Sequence, residues 1–326
     1  PEGRAFAAAH FIDLVKQQRD VDANVQTTLD LQLNRFAHQA LCDRLDRLER
    51  ENVSNGAVVV IENTTGNVLA LAGSRDYFDP HAGQVNGAWA PRSAGSTFKP
   101  FTYLLALESG RTPASVIADV PTDYATPTGV FSPYNYDRRF HGPVRLRLAL
   151  ANSLNVTAVK VLEQVGGAAA LQKRLQQCGL TTLNARPAHY GLGLTIGNAE
   201  ARLLELANAF ATLGRLGVHR PYRLLETDQQ SVSRIFDVCH AWLIADILSD
   251  NDARAQSFGW DSALAFDFPV ACKTGTSSDF RDNWAIGFTP EFTVGVWVGN
   301  FDGSPMREVS GVTGAAPVMH TVMVEI

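Results

Sequence analysis

Residues 57–71 read Ala-Val-Val-Val-Ile-Glu-Asn-Thr-Thr-Gly-Asn-Val-Leu-Ala-Leu. Two apolar runs flank the polar turn Asn63-Thr64-Thr65-Gly66, and this order predicts a β-hairpin with strands over 57–61 and 68–71. The sheet of the molecule therefore begins near residue 57.

Apolar strand patterns return near the other end of the chain. They cover residues 269–274, 283–288 and 292–298, and Thr289-Pro290 forms a turn between the last two. Apolar spacing near 3.6 predicts helices within 25–52 and over 96–108, 144–151, 156–165, 168–178, 198–213, 232–248 and 315–322. The pattern predicts an α+β fold, with one mainly antiparallel sheet formed from both ends, flanking helices and an inserted all-helical subdomain.

The composition excludes several classes of function. The 326 residues are 45% hydrophobic and carry a net charge of -5, so we expect a globular protein that does not bind nucleic acid. No apolar run approaches the roughly 20 residues that span a bilayer. The chain starts at Pro1 without a leader pattern, and we interpret it as an internal piece of a longer, membrane-anchored protein. Histidines and cysteines lack metal-binding spacing, so we expect no metal and no cofactor.

Three short motifs follow one another along the chain: Ser96-Thr97-Phe98-Lys99, Ser153-Leu154-Asn155 and Lys273-Thr274-Gly275. Their order and content match the S-x-x-K, S-x-N and K-T-G set of penicillin-binding proteins and serine β-lactamases. Any one of them could occur by chance, but the ordered set is specific. The motifs predict a serine acyl-transfer site.

The first motif pairs a nucleophile with a base. Residues three apart on a helix share a face, so Ser96 and Lys99 can present hydroxyl and amine to one spot. A lysine can accept the serine proton if burial and a second cation, here Lys273, favour its neutral amine. The free N–H groups of a helix N-terminus at Ser96 would favour a developing oxyanion.

The second motif lies between two helical segments. Ser153 can relay a proton between Lys99 and the leaving group, and the amide of Asn155 suits a substrate peptide bond. A literal Ser-Asp-Asn also occurs at Ser249-Asp250-Asn251. We interpret it as a helix end and turn, because it lies too close to Lys273 for a helical layer to stand between the motifs.

The third motif ends an apolar strand that an extended substrate could pair with. Lys273 supplies positive charge, and Thr274 and Thr276 offer hydroxyls to a substrate carboxylate. Gly275 would let the substrate approach the backbone. The N–H groups of Thr276 and Ser96 could form a two-donor oxyanion hole.

Other features carry less information. The four cysteines do not fix a redox compartment: a bridge between Cys178 and Cys239 is conceivable, but buried unpaired cysteines are the simpler interpretation. Cys272 lacks a histidine base, which argues against a nucleophile. Gly191-Leu192-Gly193 with Gly197 departs from the dinucleotide-binding spacing, and we expect a flexible loop there.

Longer strings resemble the transpeptidase domain of class A (bifunctional) penicillin-binding proteins, most of all the 1C branch. They are residues 25–30 (VQTTLD), 92–100 (RSAGSTFKP), 135–143 (NYDRRFHGP), 273–277 (KTGTS) and 294–299 (VGVWVG). The resemblance implies the penicillin-binding protein and serine β-lactamase fold. It also implies a linker over 1–55 and a transpeptidase domain over 56–326, with the family's membrane helix, glycosyltransferase domain and C-terminal domain outside this chain.

The resemblance further implies a peptidoglycan D,D-transpeptidase at the periplasmic face of the bacterial inner membrane. Ser96 would be acylated by D-Ala-D-Ala stem peptides, or by β-lactams that then remain bound. Lys99 would take the proton and Ser153 relay it. Asn155 would position the substrate, and Lys273, Thr274 and Thr276 would bind its carboxylate. Cell-wall assembly proteins are possible partners of the whole protein.

Two alternatives stay open at this stage. One is a hydrolase, either a D,D-carboxypeptidase or a β-lactamase; the latter needs a deacylating glutamate, for which Glu200 and Glu205 are the candidates, although the family's surrounding string is missing. The other is a penicillin-binding module that does not turn over.

Overall fold

The computed structural model describes residues 7–19, 24–126 and 129–326. Its helices are α1 (Ala9–Gln18), α2 (Leu31–Arg47), α3 (Lys99–Glu108), α4 (Leu146–Ala151), α5 (Asn155–Gln164), α6 (Gly167–Gln177), α7 (Pro187–Tyr190), α8 (Leu203–Gly214), α9 (Val238–Ser249), α10 (Asn251–Phe258) and α11 (Ala316–Glu325). Its strands are β1 (Asn55–Glu62), β2 (Val68–Ala72), β3 (Arg92–Ser93), β4 (Val116–Asp119), β5 (Tyr124–Thr126), β6 (Gly129–Phe131), β7 (Gly142–Arg145), β8 (Glu200–Ala201), β9 (Val218–His219), β10 (Ser233–Arg234), β11 (Ala271–Thr276), β12 (Asp282–Phe288) and β13 (Phe292–Gly299). Single 3₁₀ segments cover Glu49–Glu51, Gly95–Phe98, Gly191–Ile196 and Ser278–Phe280.

The central sheet joins both ends of the chain, as the sequence predicts. Its strand order is β11-β12-β13-β1-β2, and each neighbouring pair is antiparallel. The long-range pair is β1 with β13, which aligns Asn55 with Gly299 and Glu62 with Phe292. Strand β11, which carries the Lys-Thr-Gly motif, lies at one edge.

Both faces of the sheet are covered. Along β1, Val58 and Val60 belong to an apolar cluster with α2 and α11, whereas Val59 and Ile61 belong to a larger cluster with α8. Because side chains of a strand alternate between faces, an uninterrupted valine run is what a strand buried on both sides requires. The fold is therefore a helix–sheet–helix sandwich.

The inserted helices form a second layer beside the edge strand. Helix α3 packs against α5, α6 and α9, and α9 also contacts β11. The 3₁₀ turn Gly95–Phe98 at the start of α3 packs directly on β11. The first and third motifs consequently meet where the helical layer adjoins the sheet edge.

Several predicted elements need correction. The helix predicted over 198–213 starts at Leu203, because Glu200–Ala201 instead pairs with Arg92–Ser93 as a short strand. The segment Gly191–Ile196 is a 3₁₀ helix and not a flexible loop.

Similar shifts occur at three other helix starts. The helix predicted over 144–151 begins at Leu146 after β7, and that over 232–248 begins at Val238, where Asp237 caps it. The helix predicted over 96–108 is a 3₁₀ turn up to Phe98 and α-helix from Lys99.

The segment predicted as a linker contributes to the packing. Helix α2 buries Ala37, Leu41 and Leu45 against the sheet. Residues 1–6 and 20–23 of that segment lie outside the described residues. In the described part of the chain, no helix has both the length and the apolar character that a bilayer crossing requires. All four cysteines are free, so the conceivable bridge between Cys178 and Cys239 is absent.

Candidate active site

The turn that carries Ser96 is fixed on both sides by buried neighbours. Gly95, Thr97 and Phe98 are buried, whereas Ser96 is partly exposed. The Thr97 hydroxyl donates to the carbonyl of Ala94 at 2.8 Å. Ser96 makes no side-chain hydrogen bond to the described residues, so its hydroxyl is unengaged beside the cleft between β11 and the loop of Ser153 and Asn155.

Two glycines allow this turn to pack closely against the backbone of β11 and of residue 197. Gly95 has φ +54, and a Cβ there would lie 2.8 Å from the backbone N of Thr276. Gly197 has φ +92, and its Cβ would lie 2.1 Å from the backbone N of Gly95. Only glycine allows such backbone-to-backbone packing at positive φ. The turn that carries Ser96 is thus held between Gly197 and the edge strand.

Lys99 is fully buried at the first position of α3. Its Nζ donates to the carbonyl of Ser153, lies 3.2 Å from the Ser153 Oγ and donates to the Asn155 Oδ1 at 2.6 Å. Burial, reinforced by the nearby Lys273, lowers the pKa of Lys99 well below its ordinary value. A neutral amine there can accept a proton from a neighbouring hydroxyl.

Lys273 reaches the same point from the sheet. Its Nζ lies 2.8 Å from the Ser153 Oγ and donates to the carbonyl of Thr274 at 2.6 Å. Burial lowers the pKa of Lys273 to about 7. Neither lysine forms an ion pair within residues 7–19, 24–126 and 129–326, so the site holds two buried amines without a carboxylate partner among these residues.

Ser153 is the meeting point of the two lysines. It has φ 56, a left-handed conformation that costs a non-glycine residue about 1–3 kcal/mol. The conformation turns its hydroxyl between the two Nζ atoms, at the junction of α4 and α5. Backbone strain of this kind is concentrated at functional sites. The structure therefore brings the predicted proton relay into contact with both lysines.

Asn155 is held by groups that lie outside the three motifs. Its Nδ2 donates to the carbonyl of Tyr134 at 2.8 Å, and its backbone N–H donates to the Oδ1 of Asn135 at 2.8 Å. Asn135 in turn contacts the buried Asp119. No spacing rule predicts these contacts, because residues 134 and 135 lie in a loop about twenty positions before Asn155.

The Lys-Thr-Gly strand offers one free backbone edge. Among the residues that the structure describes, β11 pairs with β12 alone in the central sheet, so the N–H and C=O groups of its outer edge are not paired with another strand. The Thr276 hydroxyl accepts a hydrogen bond from the N–H of Gly311 at 3.0 Å. That bond uses one of the two lone pairs of the hydroxyl oxygen and leaves the hydroxyl proton for an acceptor such as a carboxylate.

Gly275 is required by the packing of β11 against residues 94–97, in addition to any need for a substrate to approach its backbone. A Cβ at this position would lie 2.9 Å from the carbonyl oxygen of Ala94 and 2.9 Å from the methyl group of Thr97. Only glycine at position 275 therefore allows the strand to contact the turn that carries Ser96. Sequence reasoning missed this contact and those of Gly197 and Gly311.

The competing Ser-Asp-Asn string is structural. Ser249 ends α9 and donates to the carbonyl of Asp246, while Asp250 caps α10 and pairs with Arg147. These contacts confirm the predicted helix end, whereas the predicted turn is wrong, because Asn251 begins α10.

The other residues considered for catalysis do not take part in this site. Burial raises the pKa of the Cys272 thiol to about 11, the opposite of what a nucleophilic thiolate requires. Glu205 accepts hydrogen bonds from Thr181 and pairs with Arg202 at 3.0 Å. Glu200 is exposed on β8. Neither glutamate contacts the Ser96 turn or the two lysines.

Comparison with known proteins agrees with this geometry. The family model of the penicillin binding protein transpeptidase domain matches residues 56–323. Penicillin-binding protein 1C of Escherichia coli (strain K12) is 36% identical over 300 residues, which are 91% of this chain and 38% of that relative. The chain thus spans well under half of the relative's length.

Solved structures share the fold. Penicillin-binding protein 1A from Haemophilus influenzae superposes with a TM-score of 0.81 and 19% identity, over 97% of this chain and 70% of that one. The PonA1 protein from Mycobacterium tuberculosis in complex with penicillin V gives a TM-score of 0.77 and 21% identity, over 96% and 90%. The fold and the resemblance to the 1C branch predicted from the sequence are confirmed, and the chain belongs to the penicillin-binding protein transpeptidase domain family.

Proposed function

We propose that this chain is the catalytic domain of a serine D,D-transpeptidase that cross-links peptidoglycan stem peptides. The observation that carries the proposal is the convergence of Lys99 and Lys273 on the hydroxyl of Ser153, beside a turn that presents Ser96. A buried amine pair without a carboxylate partner suits proton transfer and the binding of an anionic substrate.

In the first step the Ser96 Oγ attacks the carbonyl of the penultimate D-Ala. The serine proton passes to Lys99, and the N–H groups of Ser96 and Thr276 stabilise the oxyanion. The C–N bond then breaks. The proton reaches the departing D-Ala amine through the hydroxyl of Ser153, and an ester on Ser96 remains.

In the second step an amine of a neighbouring stem peptide attacks this ester. Its proton returns through the same groups to the Ser96 oxygen as the C–O bond breaks, and the cross-link forms. A β-lactam follows the first step alone, because the amine released by ring opening stays tethered and blocks the acceptor.

Substrate binding follows from the second wall of the cleft. The free edge of β11 can pair with an extended peptide. Lys273 and the hydroxyls of Thr274 and Thr276 form the site for the terminal carboxylate, and Asn155 contacts the peptide bond. The complex of penicillin V with a structural neighbour supports the proposal that β-lactams occupy the same cleft.

The wider context is proposed on the same basis. The match over residues 56–323 supports a catalytic domain over 56–326 that follows a linker over 1–55. We place the whole protein at the periplasmic face of the bacterial inner membrane, with a membrane anchor and a glycosyltransferase domain and with cell-wall assembly proteins as partners.

Intact-protein mass spectrometry tests the proposal. The parent chain, Ser96→Ala and the matched control Ser249→Ala are incubated with benzylpenicillin and sampled over hours. A stable one-to-one adduct on the parent and on Ser249→Ala, absent from Ser96→Ala, is expected. An adduct that disappears while the drug is consumed would indicate a hydrolase, and labelling of Ser96→Ala would overturn the assignment of the nucleophile.

A donor peptide separates the remaining alternatives. With a stem-peptide mimic ending in D-Ala-D-Ala and an added D-amino acid as acceptor, a transpeptidase forms the exchanged peptide. A D,D-carboxypeptidase forms the shortened acid regardless of the acceptor. A chain that is labelled by penicillin but forms neither product is a binding module.

A further inference from the structure

We infer that Asp119, Asn135 and His141 form a positioning network that sets the orientation of Asn155 and, through it, of Lys99. The inference rests on the proposed function, because it assigns a task to residues outside the three motifs in the same reaction. Their hydrogen bonds lead from the buried Asp119 to Asn155 and Lys99.

The network starts at a carboxylate that is fully buried at the end of β4. Asp119 accepts from the Nδ2 of Asn135 on both oxygens, at 3.0 and 2.8 Å. It also accepts from the backbone N–H of His141 at 2.9 Å and lies 2.7 Å from the His141 Nδ1. A carboxylate can only accept, so that ring nitrogen must carry the proton. Asp119 thus fixes both neighbours.

The carboxylate decides which way the Asn135 amide points. Its Nδ2 faces two acceptors, Asp119 and the carbonyl of Arg139 at 2.8 Å. Its Oδ1 faces two donors, the backbone N–H groups of Asn155 at 2.8 Å and Val156 at 3.2 Å. A flipped amide would place N–H against N–H and oxygen against oxygen. The orientation is therefore determined by chemistry, and all four hydrogen-bonding positions are filled.

Asn135 supplies the cap that helix α5 lacks. The residue at the N-cap position, Leu154, has no capping side chain, so the first N–H groups of the helix need a partner from elsewhere. Asn135 provides it from a distant loop. The cap places Asn155 at the first helical position, two residues after the strained Ser153.

The same loop determines the second amide. The carbonyl of Tyr134 accepts from the Nδ2 of Asn155, which turns the Asn155 Oδ1 toward the Lys99 Nζ at 2.6 Å. An amide in the reverse orientation would present donors to the lysine. The chain of contacts from Asp119 to Lys99 consequently keeps an acceptor on the lysine and holds its Nζ beside Ser153.

The test separates a positioning role from a purely structural one. The non-covalent dissociation constant K and the acylation rate constant k2 for benzylpenicillin are measured by rapid quench for the parent, Asn135→Ala and Asp119→Asn. Rates are normalised to the fraction of protein that can be acylated. Asn63→Ala is the matched control, because Asn63 is an equally buried asparagine that bonds Thr289 and Thr293 far from the cleft.

Asn135→Ala is expected to lower k2 about 10²-fold while K changes little, because misplacement of a catalytic group by about 1 Å has effects of that size. Asp119→Asn keeps the shape and should lower k2 about 10-fold by removing the fixed acceptor. Asn63→Ala should reduce the melting temperature with k2 unchanged.

Two results would overturn the inference: a folded Asn135→Ala with the parent's k2, or a loss confined to K. If Asn135→Ala does not fold, Asp119→Asn with the parent's k2 decides against it. Failure of the parent itself to form an adduct on Ser96 is a separate result, seen before any network variant is compared, and would overturn the proposed function with it.

Discussion

The two walls of the cleft are held in place in different ways. The sheet wall, strand β11, is fixed by a regular antiparallel ladder with β12 that runs from Ala271–Phe288 to Thr276–Asn283. The helix wall, the loop of Ser153 and Asn155, is fixed by side-chain amides and one buried carboxylate. Backbone ladders tolerate side-chain changes, whereas polar networks lose function when one member is removed.

The two buried lysines show the same contrast. Lys99 on the helix wall is surrounded by acceptors from the second motif. The Nζ of Lys273 contacts only the Ser153 hydroxyl and the Thr274 carbonyl among the described residues, and neither partner is a carboxylate. We therefore expect Lys99 to serve proton transfer and Lys273 to serve substrate binding.

Loss of the helix-wall lysine should have the largest effect. Lys99→Met conserves volume and should leave the chain folded. It removes the proton acceptor, so the second-order rate constant for acylation by benzylpenicillin should fall about 10³-fold. Lys173→Met, which changes an exposed lysine, is the control, and stopped-flow labelling is the measurement. Equal rates for both variants would remove Lys99 from the mechanism.

Loss of the sheet-wall lysine should have a smaller effect on the rate. Lys273→Met removes a charged hydrogen bond to the substrate carboxylate, worth about 1.5–3 kcal/mol, so the same rate constant should fall about 10- to 10²-fold, mainly through weaker binding. A ligand without the carboxylate, such as a benzylpenicillin ester, should acylate parent and variant at equal rates. Continued preference of the variant for the free acid would contradict this role.

Lys273→Met should also stabilise the fold, with a defined pH dependence. The pKa of Lys273 is lowered from 10.5 to about 7 in the folded state. Between these pH values the unfolded chain binds the extra proton, so the parent becomes more stable as pH rises. The gain from Lys273→Met, about 1–3 kcal/mol, should be largest at or below pH 7 and shrink toward pH 10. Denaturant melts at pH 6 and pH 9 measure this gain in unfolding free energy. A gain that grows with pH would contradict a lowered pKa of Lys273.

The junction of the walls depends on close backbone packing. Gly197→Ala adds both strain at φ +92 and contact with Gly95, and should cost about 3 kcal/mol of unfolding free energy. Gly110→Ala is matched, because Gly110 has φ +91 with nothing within 4 Å, and should cost about 1 kcal/mol. Urea melts of both variants measure the difference. Equal losses of unfolding free energy would show that the packing of Gly197 against the Ser96 turn does not contribute to stability.

The contrast between the walls also explains what could be predicted. Apolar runs at 57–61 and 292–298 identify buried strands because period and composition agree, and the i, i+3 spacing of Ser96 and Lys99 follows from helix geometry. Asn135 and Asp119 could not be found this way. Their contacts with the second motif are set by the path of a loop. The family resemblance includes the string 135–143, which begins at Asn135, but it does not reveal these contacts.

The misplaced helix start near 198 has the same origin. Local spacing favours a helix from Asn198, but Glu200–Ala201 is recruited as a strand by Arg92–Ser93, over a hundred residues earlier. Long-range pairing overrides local propensity there. The same region contains Gly197, whose role depends on a backbone that no local pattern reveals.

Mapping the penicilloyl group is the most direct test that the two walls form a serine acyl-transfer site. The labelled parent is digested with trypsin, and the modified residue is located by tandem mass spectrometry. We expect a single adduct on Ser96, in the peptide that runs from Ser93 to Arg111 because Pro100 blocks cleavage after Lys99. An adduct on Ser153, on Ser249 or on a lysine would contradict it.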